Sequence, residues 1–415
     1  MLRMSSDHSR LVGSSMIGGA DITASLRDLF KQMSETQEGF PPLMFWSALK
    51  QAFPQFAQKA KDGHTYAQQD AEEAWSQIMS QLRQKLKSKK EQSSSEGSES
   101  TAKETVFIDK YMAGTFDITM ECNDPTAKEA GEEPVRSQDQ FFKLNCHIGG
   151  ETNHLRDGLS AGLKEQIEKK SEKLDRDAMY TKTSRISRLP LYLPVHLIRF
   201  DWRRTTNVKA KIMRKVTFPL ELDAIEFCTE ELQKSLIPIR DKIRDIRKEE
   251  EDICRARKRQ KRIQDGQEPD AEKDSKQKDK KASSDKSKTK QNKSGKAEEP
   301  DIPHKTDAEI EEERMSSILN AKKEILSLMS PKLASDAGSN QTGLYELRGV
   351  ITHQGASADS GHYTAFVKKQ GRKDPSTGKR KEEDGKWWWF NDEKVSEVGP
   401  EKIETLSGGG KACWL

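Results

Sequence analysis

Three segments decide the reading of this chain: Gly343-Leu344-Tyr345-Glu346-Leu347-Arg348-Gly349-Val350-Ile351-Thr352-His353, then Gly361-His362-Tyr363-Thr364-Ala365-Phe366-Val367, then Trp387-Trp388-Trp389-Phe390-Asn391-Asp392. The first alternates, with Tyr345, Leu347 and Ile351 on one side and Glu346, Arg348 and Thr352 on the other, which is the period of a half-buried strand. A polar loop, Gln354 to Gly361, separates it from a second strand opened by His362. The third strand ends at Asn391-Asp392.

If the second and third strands form an antiparallel hairpin with His362 opposite Asn391, its centre falls between Ser376 and Thr377. That point lies inside Asp374-Pro375-Ser376-Thr377-Gly378, the best turn signal in the region. An amide oxygen held on one ring nitrogen fixes the tautomer of an imidazole. The other nitrogen can then act as general base to a thiol or hydroxyl. A lone His at a strand start is the bland alternative; Gly361, the loop before it and the turn-centred Asn391 bring the catalytic reading level with it, and the residues alone leave both open.

The rest of the composition bounds the class. Of 415 residues 34% are charged and 33% hydrophobic, and the mean hydropathy is -0.91, so part of the chain is expected to stay unpacked. Basic and acidic residues number 72 and 68 for a net charge of +4, which gives no global field for nucleic acid. Five widely spaced cysteines point to a reducing compartment. No apolar run approaches the ~20 residues of a membrane span. The expectation is a soluble intracellular chain.

In chain order, residues 1–20 read as loose. Ile22 to Met33 reads as a helix, a second helix starts at Pro41-Pro42, and a third runs from Gln69 to Leu86 with Asp70 in its first turn, where the helix dipole favours a carboxylate. An acidic helix start with no further role is the plain account of Asp70. Residues 87–104 read as a Ser/Lys/Glu loop. Strands are expected at Phe107–Asp109, Gly114–Cys122 and Phe141–Ile148, with Cys122 and Cys146 facing each other across an acidic insert. Single cysteines at each place, even with His147, do not make a zinc site, so no metal and no cofactor are expected. Leu159–Leu174 reads as an amphipathic helix, Leu189–Phe200 as a buried strand with His196 a packing residue, and Lys211–Phe218 as another strand. From Thr229 a long helix kinked or restarted at Pro238, a low-complexity stretch at 264–303 and a helix capped by Thr306-Asp307-Ala308-Glu309 form an insertion. The basic run Arg255 to Arg262 lacks interleaved aromatics, so a solvated helix face explains it better than nucleic-acid binding.

These residues carry a family resemblance. Gln68-Gln69-Asp70-Ala71, Leu189-Pro190 through Arg199-Phe200, Gly361-His362-Tyr363 and Trp389-Phe390-Asn391-Asp392 resemble successive boxes of the ubiquitin-specific proteases, in that family's order. Ala52-Phe53-Pro54-Gln55-Phe56-Ala57, Ser187-Arg188-Leu189-Pro190, Thr352-His353-Gln354-Gly355 and Leu406-Ser407-Gly408-Gly409-Gly410 narrow the likeness to its proteasome-associated branch. The resemblance implies an α+β, papain-like fold of thumb, fingers and palm, with ubiquitin, ubiquitinated proteins and the proteasome as partners, in cytoplasm and nucleus. It implies hydrolysis after the C-terminal Gly of ubiquitin by a Cys–His–Asn/Asp triad, with His362 as base and Asn391 as third member. Gln69, Asp70, Gly361 and Tyr363 match positions at the ubiquitin tail, and Gly355 to Ser360 matches a loop over the tail groove.

The pattern also departs from the family. Its Cys box should precede Ile22, yet no Cys occurs before Cys122, so neither a nucleophile nor the oxyanion-hole Asn is expected in this chain. The amino-terminal ubiquitin-like domain and the last apolar strand are likewise missing from the pattern. The expected organisation is a loose 1–20, a protease domain over 21–415 lacking the Cys box and last strand, and a charged helix–disorder–helix insertion at 229–338. The chain reads as a deubiquitinase truncated at both ends and inactive alone. A non-catalytic ubiquitin or proteasome binder is the alternative, and an adaptor acting through 250–295 the third reading.

Overall fold

Side-chain caps start the first helices. Asp21 accepts from the backbone N–H groups of Thr23 and Ala24 at 2.9 and 3.1 Å and opens α1 (Ile22–Glu35). Pro42 precedes α2 (Leu43–Ala52), and Asp70 caps α3 (Ala71–Lys85) through the N–H of Glu72 at 2.8 Å. The computed structural model describes residues 21–36, 39–59, 63, 66–86, 106–203, 208–264, 307–357, 360–374, 376–378, 380–407 and 412–415. The expectations for 1–20, 87–104 and 265–303, and for Thr306 as a cap, lie outside them.

The chain continues through α4 (Phe107–Met112), β1 (Gly114–Cys122), α5 (Pro125–Glu129), β2 (Val135–Phe141), β3 (Leu144–His147), α6 (Leu155–Gly162), β4 (Lys164–Lys170) and β5 (Asp177–Arg188). Next come β6 (Val195–Ile198), β7 (Phe200–Arg203), β8 (Val208–Lys211), β9 (Glu221–Asp223), α7 (Glu230–Gln264), α8 (Asp307–Leu328) and α9 (Pro331–Ser335). The last elements are β10 (Leu344–Glu346), β11 (Gly349–Ser357), β12 (Ser360–Lys368), β13 (Trp387–Asn391), β14 (Lys394–Val398), α10 (Pro400–Ser407) and β15 (Ala412–Trp414).

Two sheets carry most of the strands. One has four strands in the order β2-β1-β5-β4, the other seven in the order β14-β13-β12-β11-β15-β6-β3. The larger sheet is antiparallel except for β3 beside β6. On one of its faces Val350, Phe366 and Trp387 pack with Ile403 of α10, each at most 3% exposed, and Phe218, Leu347 and Trp389 close the cluster. Full burial of such side chains is worth about 1.5–3 kcal/mol each, and it settles which face of each strand looks inward. The chain divides into two compact units, Met1–Ile237 with Ser330–Leu415, and Pro238–Met329.

Several expectations need correction. Phe107–Asp109 is helical because Ile108 and Met112, four residues apart, both bury against Met79 and Leu82 of α3. The helix read over Leu159–Leu174 stops at Gly162, whose Cα approaches the Asn145 carbonyl too closely for a side chain, and Lys164–Lys170 pairs with β5 instead. Leu189–Phe200 is not one strand: Pro190 and Pro194 offer no ladder donor, Pro190 makes only an isolated bridge to Ser339, and pairing resumes at Val195. The strand expected over Lys211–Phe218 ends at Lys211, and Thr217 bridges singly to His154. Cys122 pairs with Tyr180 in the four-stranded sheet and Cys146 with Leu197 in the seven-stranded one, so the two do not face each other. α7 runs through Pro238 without restarting.

Two differences touch the segments read first. Gly343–His353 divides into β10, paired with β9, and β11, paired with β12 in the larger sheet. The break at Leu347–Arg348 reverses the expected faces: Val350 and Thr352 are buried at 1% and 2%, while Ile351 is 36% exposed. At the other end, where no final strand was expected, Ala412–Trp414 forms β15 between β11 and β6.

Candidate active site

His362 lies near the tip of the β11–β12 hairpin, across from Gln354. The stretch read as a loop is largely this hairpin, carried on to Ser357↔Ser360 after an irregularity in the ladder; Ala358 and Asp359 lie outside the described residues. Thr352 and Thr364, buried and opposite each other, share a hydroxyl contact of 2.7 Å that ties the two strands two residues below the His.

The turn between β12 and β13 forms where the sequence places it. Asp374 Oδ1 accepts from the Ser376 N–H at 2.9 Å, the Gly378 N–H reaches the Asp374 carbonyl at 2.9 Å, and Lys373 bridges to Arg380. Further out the register changes. Lys381 N–H bonds the Arg372 carbonyl, but Lys369 N–H bonds the Lys386 carbonyl, so the returning strand carries two extra residues between these points, with Gly385 at φ 74°. The ladder then pairs Lys368 with Trp387 and Ala365 with Phe390. Asn391 is therefore diagonal to His362 and not opposite it. A two-residue shift preserves side-chain parity, so both residues stay on the sheet face that carries Phe366 and Trp389.

The side chains meet. His362 Nε2 lies 2.5 Å from Asn391 Oδ1 and 3.8 Å from Asp392 Oδ2. With the amide oxygen facing it, Nε2 carries the proton and donates, and Nδ1 keeps its lone pair. The His362 side chain is 41% exposed, so a reactant can reach it. Asp392 stands at φ 50°, the left-handed conformation, in the two-residue link from β13 to β14.

The start of α3 docks beside this site. The Ala71 backbone N–H hydrogen-bonds the Tyr363 oxygen. Burial, then the nearby Asp70 charge and Cys413, push the Tyr363 phenol up to about 12. Gln69 is half-buried just before Asp70. Gly361 is held at φ 140°, and a Cβ there would lie 2.2 Å from the Gln354 carbonyl and 2.6 Å from His353 Nε2. The structure thus brings Asp70, Gly361, Tyr363, His362 and Asn391 into one neighbourhood, with Gln69 at its edge. His353 and Lys211 of β8 also belong to it. The sequence gives His353 no role apart from the Thr352-His353-Gln354-Gly355 box, and nothing in it sets Lys211 apart from the other lysines.

Cys122, Cys146, Cys228 and Cys413 are buried and take part in no disulfide. Burial pushes Cys146 and Cys228 up to about 12, and raises Cys413 despite the nearby Lys211 and Arg199. Cys146, Cys228 and Cys413 are therefore thiols at neutral pH, unsuited to attack. Among the described residues no three His, Cys, Asp or Glu side chains group as metal ligands, and no helix is long and apolar enough to cross a membrane.

A family model described as ubiquitin carboxyl-terminal hydrolase matches residues 3–412. The chain is 39% identical over 392 residues to ubiquitin carboxyl-terminal hydrolase 6 of Schizosaccharomyces pombe, 34% over 389 to ubiquitin carboxyl-terminal hydrolase 7 of Arabidopsis thaliana, and 29% over 391 to ubiquitin carboxyl-terminal hydrolase 14 of Caenorhabditis elegans. Each alignment covers 94% of this chain, but only 68%, 65% and 61% of the respective relative.

Proposed function

The chain belongs to the ubiquitin carboxyl-terminal hydrolase family, the cysteine-type deubiquitinating enzymes, and from that premise we propose that it supplies the base-and-orienter half of a site that cleaves the bond after the C-terminal Gly of ubiquitin. The observation that carries this reading is the 2.5 Å contact between His362 Nε2 and Asn391 Oδ1. It leaves Nδ1 to take the proton of a thiol. The thiolate adds to the carbonyl carbon, the imidazolium returns the proton to the leaving amine, and water, deprotonated by the same nitrogen, releases the acyl group. Gln69, Asp70, Gly361 and Tyr363 flank the tail of ubiquitin in this reading, on a papain-like arrangement of thumb, fingers and palm. Ubiquitinated proteins are the substrates, the proteasome is the associated machine, and cytoplasm and nucleus are the compartments.

Cys122, Cys146, Cys228 and Cys413, all buried, do not supply that thiol in reactive form. We expect the chain as written not to hydrolyse a ubiquitin C-terminal fluorogenic amide, and a family-type Cys segment joined ahead of Ile22 to confer turnover. Turnover by the unmodified chain, or none by a folded, ubiquitin-binding fusion, would overturn the reading. The burial of Cys122, Cys146, Cys228 and Cys413 also favours a second one, a protein that holds ubiquitin without cutting it. Ubiquitin affinity that survives His362→Ala in an inactive fusion would mark it.

A further inference from the structure

The residues on either side of His362 rest on a single imidazole. The His353 side chain is fully buried. Its ring packs on Tyr363 with centroids 4.6 Å apart, and it fills the space where Gly361 would carry a Cβ, 2.6 Å from Nε2 and 2.9 Å from Cε1. Behind it stands Lys211, only 7% exposed, with Nζ 3.1 Å from His353 Nδ1 and 2.5 Å from the His353 carbonyl oxygen. An ammonium can only donate, so Nδ1 accepts and the ring is neutral with its proton on Nε2. A protonated ring would set two cations 3.1 Å apart in a buried place, where their repulsion is poorly screened.

We propose that His353, held neutral by Lys211, is a positioning residue that seats the β12 backbone at Gly361 and Tyr363 and so fixes the ring of His362 on Asn391. The inference rests on His362 being the base. Alternation sends the His362 side chain to the opposite face of β12 from Tyr363, so His353 acts through the backbone and does not touch the reacting atoms. The titratable groups around His353 are Lys211 from β8, Asp70 from the cap of α3, Tyr363 from β12, and Cys413 from β15, which takes the His353 backbone N–H, with His362 felt only as a charge from the other face of β12. Burial first, then Lys211, hold His353 below its ordinary value; Asp70 opposes them and His362 adds to them.

Ring-nitrogen NMR of the intact chain with labelled histidine tests this. In the unsubstituted chain His353 should show one neutral tautomer, protonated at Nε2, that persists as the pH falls past 6.5, the ordinary histidine value, and His362 should likewise be protonated at Nε2. In Lys211→Met, with the chain still folded, both rings should lose the single tautomer: His353 titrates nearer its ordinary value and the His362 nitrogens average. Unchanged His362 nitrogens in folded Lys211→Met, or ordinary titration of His353 in the unsubstituted chain, would overturn the proposal. The second measurement decides alone if Lys211→Met does not fold. Failure of the hydrolase reading is separable, since it would leave these signatures intact in a Cys-completed chain that has no turnover.

Discussion

Asn391 meets His362 from a diagonal position: the β12–β13 ladder has shifted by two residues, yet Oδ1 still comes within 2.5 Å of Nε2. Diagonal neighbours in a sheet sit ~7–8 Å apart at the backbone, a gap that an imidazole and an amide can span between them. In a chain completed with a Cys segment, His362→Ala should lower kcat by ~10²–10⁴, the worth of general-base assistance. Asn391→Ala should lower it less and leave KM nearly unchanged, because the base is misoriented and not lost. Steady-state kinetics on a ubiquitin fluorogenic amide reads both; equal losses would place Asn391 in the chemistry itself.

Asp392 carries backbone strain beside the site, at φ 50°. Asn tolerates that conformation through its short polar side chain, whereas Ala does not. Asp392→Ala should cost about 1–2 kcal/mol and Asp392→Asn less than about 0.5 kcal/mol in urea unfolding. Equal costs would mean that the carboxylate, 3.8 Å from His362 Nε2, matters more than the turn.

Gly361 and Gly385 both adopt positive φ but differ in their surroundings. A Cβ at Gly361 would overlap the Gln354 carbonyl and the His353 ring, whereas at Gly385 nothing lies within 4 Å. Gly361→Ala is expected to cost roughly 2–4 kcal/mol, from strain and overlap together, and Gly385→Ala roughly 1–2 kcal/mol from strain alone. Denaturation midpoints at unchanged slope measure the difference.

The buried thiols predict silence toward alkylation. With the folded chain at pH 8, iodoacetamide should leave Cys146, Cys228 and Cys413 unmodified over a time in which the urea-unfolded chain is fully labelled, as mass spectrometry of peptides would read. Rapid labelling of Cys413 would reopen it as a nucleophile.

Asp336 makes acid sensitivity testable. Burial alone would raise its carboxyl, but the Arg188 guanidinium, at 2.7 and 3.0 Å, outweighs it and holds the group below its ordinary value. A depressed folded value means that the pair stabilises the fold above the unfolded carboxylate range, with that stability lost as pH falls through the folded value. Asp336→Asn should therefore be less stable than the unsubstituted chain at pH 7 and approach it near pH 3. Parallel stability curves would show that the pair contributes nothing.

How much of this was legible follows from which interactions are local. The helix start near Asp70 and the turn at Asp374–Gly378 were readable because a side chain two residues away supplies the bond. The nearness of His362 and Asn391 was readable because a hairpin converts sequence distance into space. The order of boxes along the chain likewise fixed the family with no coordinates. What the sequence did not show is where long-range pairing overrides local period. Lys164–Lys170 has a helical pattern and becomes a strand because β5 offers it a ladder. Gly343–His353 alternates as one strand but divides between two sheets, and β15 exists because β6 and β11 leave a place between them. The two extra residues before Trp387 set the true register, and no local rule counts them. Lys211 and His353 are 142 residues apart; only the packing of β8 behind β11 makes them a buried pair, because burial is a property of the folded assembly and not of either residue.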